Sequence, residues 1–147
     1  MTAEIELQLQ TAAVNLPSSD DFEQWASAVL RDTYKKSVVI RLVDAAESRR
    51  LNSDYRGVDK PTNVLSFPFE APAEIADEFL GDVIICAPVV EQEARQQNKP
   101  LQAHWAHMVT HGILHLQGYD HQNNQQAEEM ERLEVEILAT LGFPDPY

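Results

Sequence analysis

Three histidines in one short segment have the spacing of ligands for a single metal ion. The segment from His111 to His121 reads HGILHLQGYDH. On an α-helix, residues four apart lie on the same face with side chains roughly 5–6 Å apart, so His111 and His115 can bind a cation about 2 Å from each imidazole. Gly118 is suited to end the helix, because glycine adopts positive φ without steric hindrance. The chain can then turn back, and His121 can supply a third nitrogen.

Three protein ligands are typical of a catalytic metal site. Structural zinc sites normally have four protein ligands and favour cysteine, whereas catalytic sites keep one position for water. The chain has one cysteine, Cys86, which lies in an apolar run and is interpreted as a small core residue. Water bound to such a zinc can have its pKa lowered to about 7. The pattern favours hydrolysis; the alternatives are scattered surface histidines, or a structural clip completed by a carboxylate such as Asp120.

The residue after the first histidine argues against one class of hydrolase. Metzincin proteases share this spacing of histidines and glycine, but a glutamate follows their first histidine and acts as general base. Here that residue is Gly112. A peptidase of that kind would lack the group that activates water and protonates the leaving amine. The spacing therefore argues for a metal and against that protease mechanism.

Length and charge limit the class of protein further. A chain of 147 residues is the size of one ordinary domain. No apolar run is long enough to span a membrane and the N-terminus does not resemble a signal peptide, so we expect a cytoplasmic protein. The formal charge of −13 is unevenly distributed: residues 31–60 carry eight of the eleven basic residues against five acids, a local +3. Such a basic segment can contact a phosphate backbone, or it can be an ordinary mixed surface.

Hydrophobic periodicity and helix-end signals predict one α+β domain over residues 1–147. We expect a roughly four-stranded mixed sheet packed with about five helices, with the metal site at the end of a central helix. Strands are predicted at residues 4–10, 38–43, 64–67 and 80–87, with a mobile acidic link between the last two. Helices are predicted from Ser18 or Ser19 to near Tyr34, from Asp44 (with Glu47 as a capping box) to about Leu51, from Pro88 to Gln97, from Pro100 to about Gln117, and from about Gln125 to Leu141.

Further polar residues are candidates for supporting roles. His107 lies on the same face of the predicted helix as the ligand pair and is a candidate hydrogen-bond donor behind the metal, while His104 is interpreted as a surface or packing residue. Arg56 lies in a turn-rich segment, residues 52–63, which is predicted to be a loop. Asn63 and Ser66 can contact a polar ligand, or can act as a strand-start cap and a packed hydroxyl.

Four blocks of the sequence occur in an order that is specific to one family. They are Leu51–Gly57 (LNSDYRG), Pro61–Phe69 (PTNVLSFPF), Leu80–Asp82 (LGD) and His111–His121. Together they lie between residues 51 and 121 and resemble the YbeY family of bacterial endoribonucleases. The resemblance implies a single-domain, zinc-dependent enzyme that cuts single-stranded RNA. It also implies action in ribosomal RNA maturation, at the 3′ end of 16S rRNA, and in ribosome quality control.

The resemblance also assigns residues and partners. His111, His115 and His121 match the histidines that hold one zinc ion in the family, and Arg56 matches an arginine that is needed for activity. The implied partners are single-stranded or ribosomal RNA and the ribosome or its small subunit. Neither a membrane nor DNA is expected as a partner.

A mechanism follows as a hypothesis. The metal polarises a water or a phosphate oxygen, and Arg56 stabilises the negative charge that develops on the nonbridging oxygens. Spacing alone favours an exposed Arg56 paired with Asp54 or Asp59, and the family resemblance reverses this preference. No general base is evident, so the attacking group is either water or the RNA 2′-hydroxyl.

Two other classes of function are consistent with the sequence. The protein could be a non-catalytic ribosome-assembly factor with a structural zinc, or a metal hydrolase of another substrate such as a peptide or small ester. Nickel also accepts imidazole ligands, so the choice of zinc rests on availability and on the resemblance.

Overall fold

The computed structural model describes residues 3–33, 37–69 and 79–147, and within these ranges the elements follow the predicted order. They are β1 (Glu4–Gln10), α1 (Ser19–Val29), β2 (Ser37–Val43), α2 (Ala45–Arg56), β3 (Val64–Pro68), β4 (Phe79–Cys86), α3 (Ala87–Gln96), α4 (Leu101–Leu116) and α5 (Asn124–Thr140). The predicted α+β class, with a four-stranded mixed sheet and five helices, is confirmed. None of the described helices is both long and apolar enough to cross a membrane.

The four strands form one mixed sheet in the order β1-β2-β4-β3. β2 pairs in parallel with both β1 and β4, whereas β3 pairs antiparallel with β4. Parallel neighbours need a crossover connection, and α1 supplies it between β1 and β2. The interior strand β4 is an almost continuous apolar run, as expected for a strand that is covered on both faces.

Side chains from the two faces of the sheet enter separate cores. Val83 and Ile85 point into the larger core, which contains Trp105 and Phe22 and lies between the sheet and helices α1, α4 and α5. Ile84 and Cys86, which alternate with them along β4, point to the other face of the sheet. They enter a smaller core that includes Leu65 and partly buried residues of α2 and α3. This second core consists of Val43, Leu65, Ile84 and Cys86, packed against Ala45, Leu51, Phe67 and Val89. The predicted core position of Cys86 is confirmed.

Helix α4 is the central helix of the fold. It packs against β3, β4, α1, α3 and α5, so few of its faces are exposed. Its buried residues run almost without interruption from His104 to Leu116. A helix enclosed in this way is a stiff support for side chains at its C-terminal end.

Gly112 allows α4 to lie directly against the sheet. A Cβ atom at this position would be 2.5 Å from Val83 Cγ1 and 3.1 Å from Val64 Cγ2, which is too close for packed carbon atoms. The Ser66 hydroxyl donates a hydrogen bond to the Gly112 carbonyl at 2.8 Å and fixes this approach. There is no room for a glutamate here, so the general base of a metzincin protease is sterically excluded.

The replacement Gly112→Ala is expected to destabilise the protein by about 1–3 kcal/mol, the usual cost of overpacking a core. The added methyl group must push Val83 away or lift α4 from the sheet. Chemical denaturation measures the effect. In the Val83→Ala background the same change should cost less, because the methyl group it meets has been removed. Equal costs in both backgrounds would contradict the steric explanation.

Two local predictions differ from the structure, and a third falls outside the described residues. Helix α1 ends at Val29, with Leu30 as its C-cap, and not near Tyr34. Helix α2 extends to Arg56 and lacks the predicted capping box: the Asp44 carboxylate accepts hydrogen bonds from Thr11 and from the Ala12 N–H, and Glu47 forms an ion pair with Arg41. The link that was predicted to be mobile falls mainly on residues 70–78, which lie outside the described residues.

Candidate metal centre

The end of α4 turns the chain back toward its own last turn. Gly118 has φ +99°, its N–H donates to the His115 carbonyl at 3.0 Å, and the Tyr119 N–H donates to the Leu114 carbonyl at 3.1 Å. These two bonds form a Schellman motif, which satisfies carbonyls that a helix end leaves free. The reversal brings His121 beside the last turn of the helix, as the turn glycine predicted.

The imidazoles of His111, His115 and His121 converge. One nitrogen of each lies within 4.8 Å of the others, and together they form a group that can hold a metal ion. The ring centroids of His111 and His115 are 4.7 Å apart, and that of His121 lies 5.7 and 5.1 Å from them. Small side-chain rotations bring donors at this separation to a common point about 2.0–2.1 Å from each, and three neutral imidazoles suit zinc or a similar divalent ion.

Burial favours the ligand form of His115. Desolvation lowers the pKa of this imidazole, and the neighbouring His111 and His121 lower it further. A histidine must be neutral to bind a metal. His115 is therefore in its binding form at neutral pH before any ion arrives.

Glu134 of α5 lies behind the three histidines and was missed in the sequence. It is only 1% exposed. Its Oε2 accepts hydrogen bonds from His111 Nδ1 at 3.0 Å and from His107 Nε2 at 2.9 Å, and its Oε1 accepts one from the Tyr147 hydroxyl at 2.5 Å. Burial alone would raise the pKa of Glu134, but these hydrogen bonds lower it to about 2. The carboxylate is therefore ionised at neutral pH.

One sequence signal does point to Glu134. The buried residues of α5 are Met130, Glu134 and Leu138, which follow one another at four-residue spacing. A carboxylate in the middle of an apolar stripe is unusual, because burial of an unpaired charge is costly. The periodic pattern of the helix could have identified this residue as one that must have a buried partner.

The two other histidines of α4 are also buried and hydrogen-bonded. His107 donates to Glu134 and does not contact a ligand histidine through a hydrogen bond, so its predicted role behind the metal is indirect. His104 is a packing residue at 3% exposure and lies 3.0 Å from Glu93 Oε1. Desolvation lowers the pKa of His104, which favours its neutral form.

The three histidines line a cavity of about 750 Å³ that Arg56 also lines. Arg56 lies in the last turn of α2, which Gly57 ends with φ +71°. The rest of the lining comes mainly from β3 and the segments around it: Tyr55, Thr62, Asn63, Val64, Leu65, Ser66, Phe67, Pro68 and Asp120. The fold thus brings residues from α2, β3, α4 and the turn after α4 to one opening.

Arg56 is exposed, and within the described ranges no carboxylate forms an ion pair with it. Asp59, one of its two proposed partners, is instead paired with Arg49 through two hydrogen bonds of 2.8 and 3.1 Å. The other, Asp54, has no ion pair among the described residues. The guanidinium of Arg56 therefore remains available to a ligand in the cavity.

The polar residues of the cavity wall are partly committed to structure. Asn63 accepts from the Val64 N–H at 2.7 Å and donates to Glu93, while the Ser66 hydroxyl donates to Gly112. These are the strand-start cap and the packed hydroxyl that the sequence left as alternatives. Asp120 accepts from the His121 N–H at 2.7 Å and lies 3.4 Å from His121 Nδ1, so it both closes the turn and contacts a metal-ligand candidate.

Comparison with known proteins agrees with this geometry. The family model described as endoribonuclease YbeY matches residues 5–142. The solution structure of TM1509 from Thermotoga maritima is similar, with 26% sequence identity, a TM-score of 0.56 and coverage of 93% of this chain and 92% of that one. Membership of the family supports a metal-dependent endoribonuclease role in ribosomal RNA maturation. Because the match extends over nearly the whole length, the chain belongs to the YbeY endoribonuclease family.

Proposed function

We propose that this protein is a zinc-dependent endoribonuclease that cuts single-stranded RNA, with one ion held by His111, His115 and His121. The observation that carries the proposal is the convergence of three imidazoles, within 4.8 Å of one another, in a cavity that Arg56 also lines. We further propose that it acts in the cytoplasm on the 3′ end of 16S rRNA and in ribosome quality control, as the family resemblance implies.

The three histidines provide a binding site with an open side. His121 is exposed and His111 and His115 are partly exposed, so a bound ion would face the cavity. A divalent cation at this position supplies Lewis-acid activation of a water or of a phosphate oxygen. Asp120, in contact with His121, limits the orientations available to that imidazole.

Arg56 is the residue that we assign to the transferring phosphate. Cleavage of a phosphodiester builds negative charge on the nonbridging oxygens, and a guanidinium can donate to two of them at once. Arg56 lines the same cavity as the three histidines and keeps its donors free of carboxylates within the described ranges. Because Gly112 leaves no space for a glutamate, no protein side chain is assigned as the base. The attacking group would be a water that the cation makes more acidic, or the RNA 2′-hydroxyl, whose proton would pass to a hydroxide held by the cation.

Tyr55 offers a stacking surface for a base beside that phosphate. Its side chain is 67% exposed, it lines the cavity, and one edge of the ring packs against Phe67 with centroids 4.9 Å apart. Stacking of a base on an aromatic ring is worth about 1–3 kcal/mol and tolerates any sequence. Bases of a single strand are free to turn outward and stack on an aromatic side chain, which supports a preference for single strands.

The charge distribution supports a substrate that is presented by a partner. Of the described basic residues between 31 and 60, Arg31, Arg41 and Arg49 form ion pairs, and Arg56 is the one arginine or lysine among the described residues that line the cavity. The formal charge of the whole chain is −13. Phosphate contacts supply most of the affinity for nucleic acid, so we expect weak, salt-sensitive binding to free RNA and delivery by the ribosomal small subunit.

Cleavage of single-stranded RNA by purified protein, with and without a chelator, tests the proposal. We expect cuts in the single strand that a chelator abolishes and zinc restores, and far fewer cuts in a matched duplex. A His115→Ala preparation made in parallel controls for contaminating nucleases. Analysis of the ends identifies the attacking group, since a 2′,3′-cyclic phosphate indicates the 2′-hydroxyl and a 5′-phosphate indicates water. Failure of metal-loaded protein to cut the single strand or ribosomal particles would contradict the proposal.

A further inference from the structure

A buried carboxylate connects the metal centre to the interior of the protein. Glu134 is 1% exposed and accepts three hydrogen bonds, from His111, His107 and Tyr147. Its three hydrogen-bond partners all donate, two to Oε2 and one to Oε1, so neither oxygen is without a partner. Replacement of a buried ionic network by well-packed apolar residues is often neutral or stabilising, so packing alone does not explain why α5 carries a charge here.

The contact between His111 and Glu134 determines which nitrogen of His111 can bind a metal. With the Glu134 carboxylate as acceptor, His111 carries its proton on Nδ1, the atom 3.0 Å from Glu134 Oε2. The lone pair is then on Nε2. The other ring nitrogen of a metal-bound histidine commonly donates to a carboxylate, which sets the tautomer and the orientation of the ring.

His107 and Tyr147 hold the carboxylate in turn. His107 Nε2 lies 2.9 Å from the same oxygen that His111 contacts, and the Tyr147 hydroxyl occupies the other oxygen. His107 is 7% exposed and fixed within α4, so Glu134 cannot rotate without breaking a buried hydrogen bond. Tyr147, His107 and His111 thus all donate to the same carboxylate.

We propose that Glu134 is a positioning residue for the metal: it holds His111 in the Nδ1–H tautomer with Nε2 directed at the ion, and thereby sets the affinity of the site. This inference rests on the proposed metal site but not on the cleavage of RNA. Glu134 is not among the three ligand candidates and does not line the cavity. Partners of this kind typically change metal affinity by about 10–100-fold when removed.

Zinc titration of purified variants against a chromophoric chelator measures the affinity. Glu134→Ala is expected to weaken zinc binding about 10–100-fold. Glu134→Gln keeps an acceptor for both histidines, and its amide can donate to the Tyr147 oxygen, so a loss of under about tenfold is expected from hydrogen-bond matching. Glu136→Ala is the matched control, since Glu136 lies on the same helix with its side chain 60% exposed. Equal affinities of the Glu134→Ala and Glu136→Ala proteins would overturn the proposal.

The tautomer of His111 provides a readout that a merely structural role would not move and that needs no metal. Long-range ¹H–¹⁵N spectra of the metal-free protein, recorded at alkaline pH, should show the proton on Nδ1 in the wild type and in Glu134→Gln. Glu134→Ala should shift it toward Nε2. A wild-type spectrum with the proton on Nε2 would refute the proposal even if Glu134→Ala did not fold. If the wild type bound no zinc, the metal site and the role of Glu134 would both be refuted, whereas a protein that bound zinc but did not cut RNA would refute the proposed nuclease function alone.

Discussion

Replacement of His115 by alanine is expected to leave a folded protein that no longer binds the metal tightly. This protein should cut RNA at least about 1,000-fold more slowly, because the cation contributes several kcal/mol of charge stabilisation. His115 is only half-buried and has no hydrogen bond to the core among those described. The core beneath it, around Trp105, Val109 and Ile113, does not depend on its imidazole. Metal content and single-turnover cleavage measure the two losses, and circular dichroism and denaturation measure the fold.

The His115→Ala variant also distinguishes an enzyme with a catalytic metal from a non-catalytic ribosome-assembly factor with a structural zinc. In the second case the protein should lose stability together with its metal, because structural zinc contributes directly to folding. Gln117→Ala is a suitable control: Gln117 is the C-cap of the same helix and lines a different cavity, beside Tyr119 and Leu133. A folded His115→Ala protein that still cuts RNA at the wild-type rate would contradict the proposed role of the metal.

Replacement of Arg56 by alanine is expected to lower kcat by about 100–1,000-fold while zinc affinity stays unchanged, the size of effect that follows loss of one charge-stabilising donor. Arg56 contacts none of the three histidines through a hydrogen bond within the described ranges, so the metal site should be intact. Arg56→Lys should recover only part of the rate, because an ammonium lacks the planar fork that pairs two phosphate oxygens. Single-turnover kinetics on a short single strand measure the change.

The neighbouring residue provides the matched comparison. Tyr55→Ala should raise KM by about 5–150-fold, the equivalent of one stacked base, with little change in kcat, because stacking is made equally in the ground state and the transition state. Both residues lie in the last turn of α2 and both are exposed. If the Arg56 variant changed only KM, its guanidinium would be a binding contact and not a stabiliser of the transition state.

The three metal-ligand candidates could be selected from the sequence because their geometry is local. His111 and His115 lie one helical turn apart. Gly118, three residues before His121, has positive φ and reverses the direction of the chain. Local backbone rules are enough to bring such residues together. The strands were predictable for a similar reason, since alternation along β1 and apolar runs in β2 and β4 are read directly from the chain.

Glu134 could not be assigned a partner in the same way. It lies on α5, whose packing against α4 depends on how the whole core is filled. The spacing of apolar residues in α5 indicates that Glu134 is buried. Which residues of other elements hydrogen-bond to it depends on the tertiary structure. The same holds for Tyr147, which reaches Glu134 across the fold.

The length of α2 was underestimated because its buried face is polar. Its buried residues are Ser48 and Asn52, which bond to the backbone of Thr62 and Lys60 and hold the following segment against the helix. Hydrophobic periodicity cannot detect a helix of this kind. As a result, Arg56 was expected in a loop, although the structure gives it the more rigid support of a helix end.

Anomalous diffraction from crystals of the zinc-loaded protein tests the central claim most directly. We predict one peak in the cavity, about 2.0–2.1 Å from one nitrogen each of His111, His115 and His121, with the fourth position filled by solvent and facing Arg56. Absence of a peak at the three histidines would contradict the proposed metal site. A fourth protein ligand closing the coordination sphere, such as Asp120, would contradict its catalytic role.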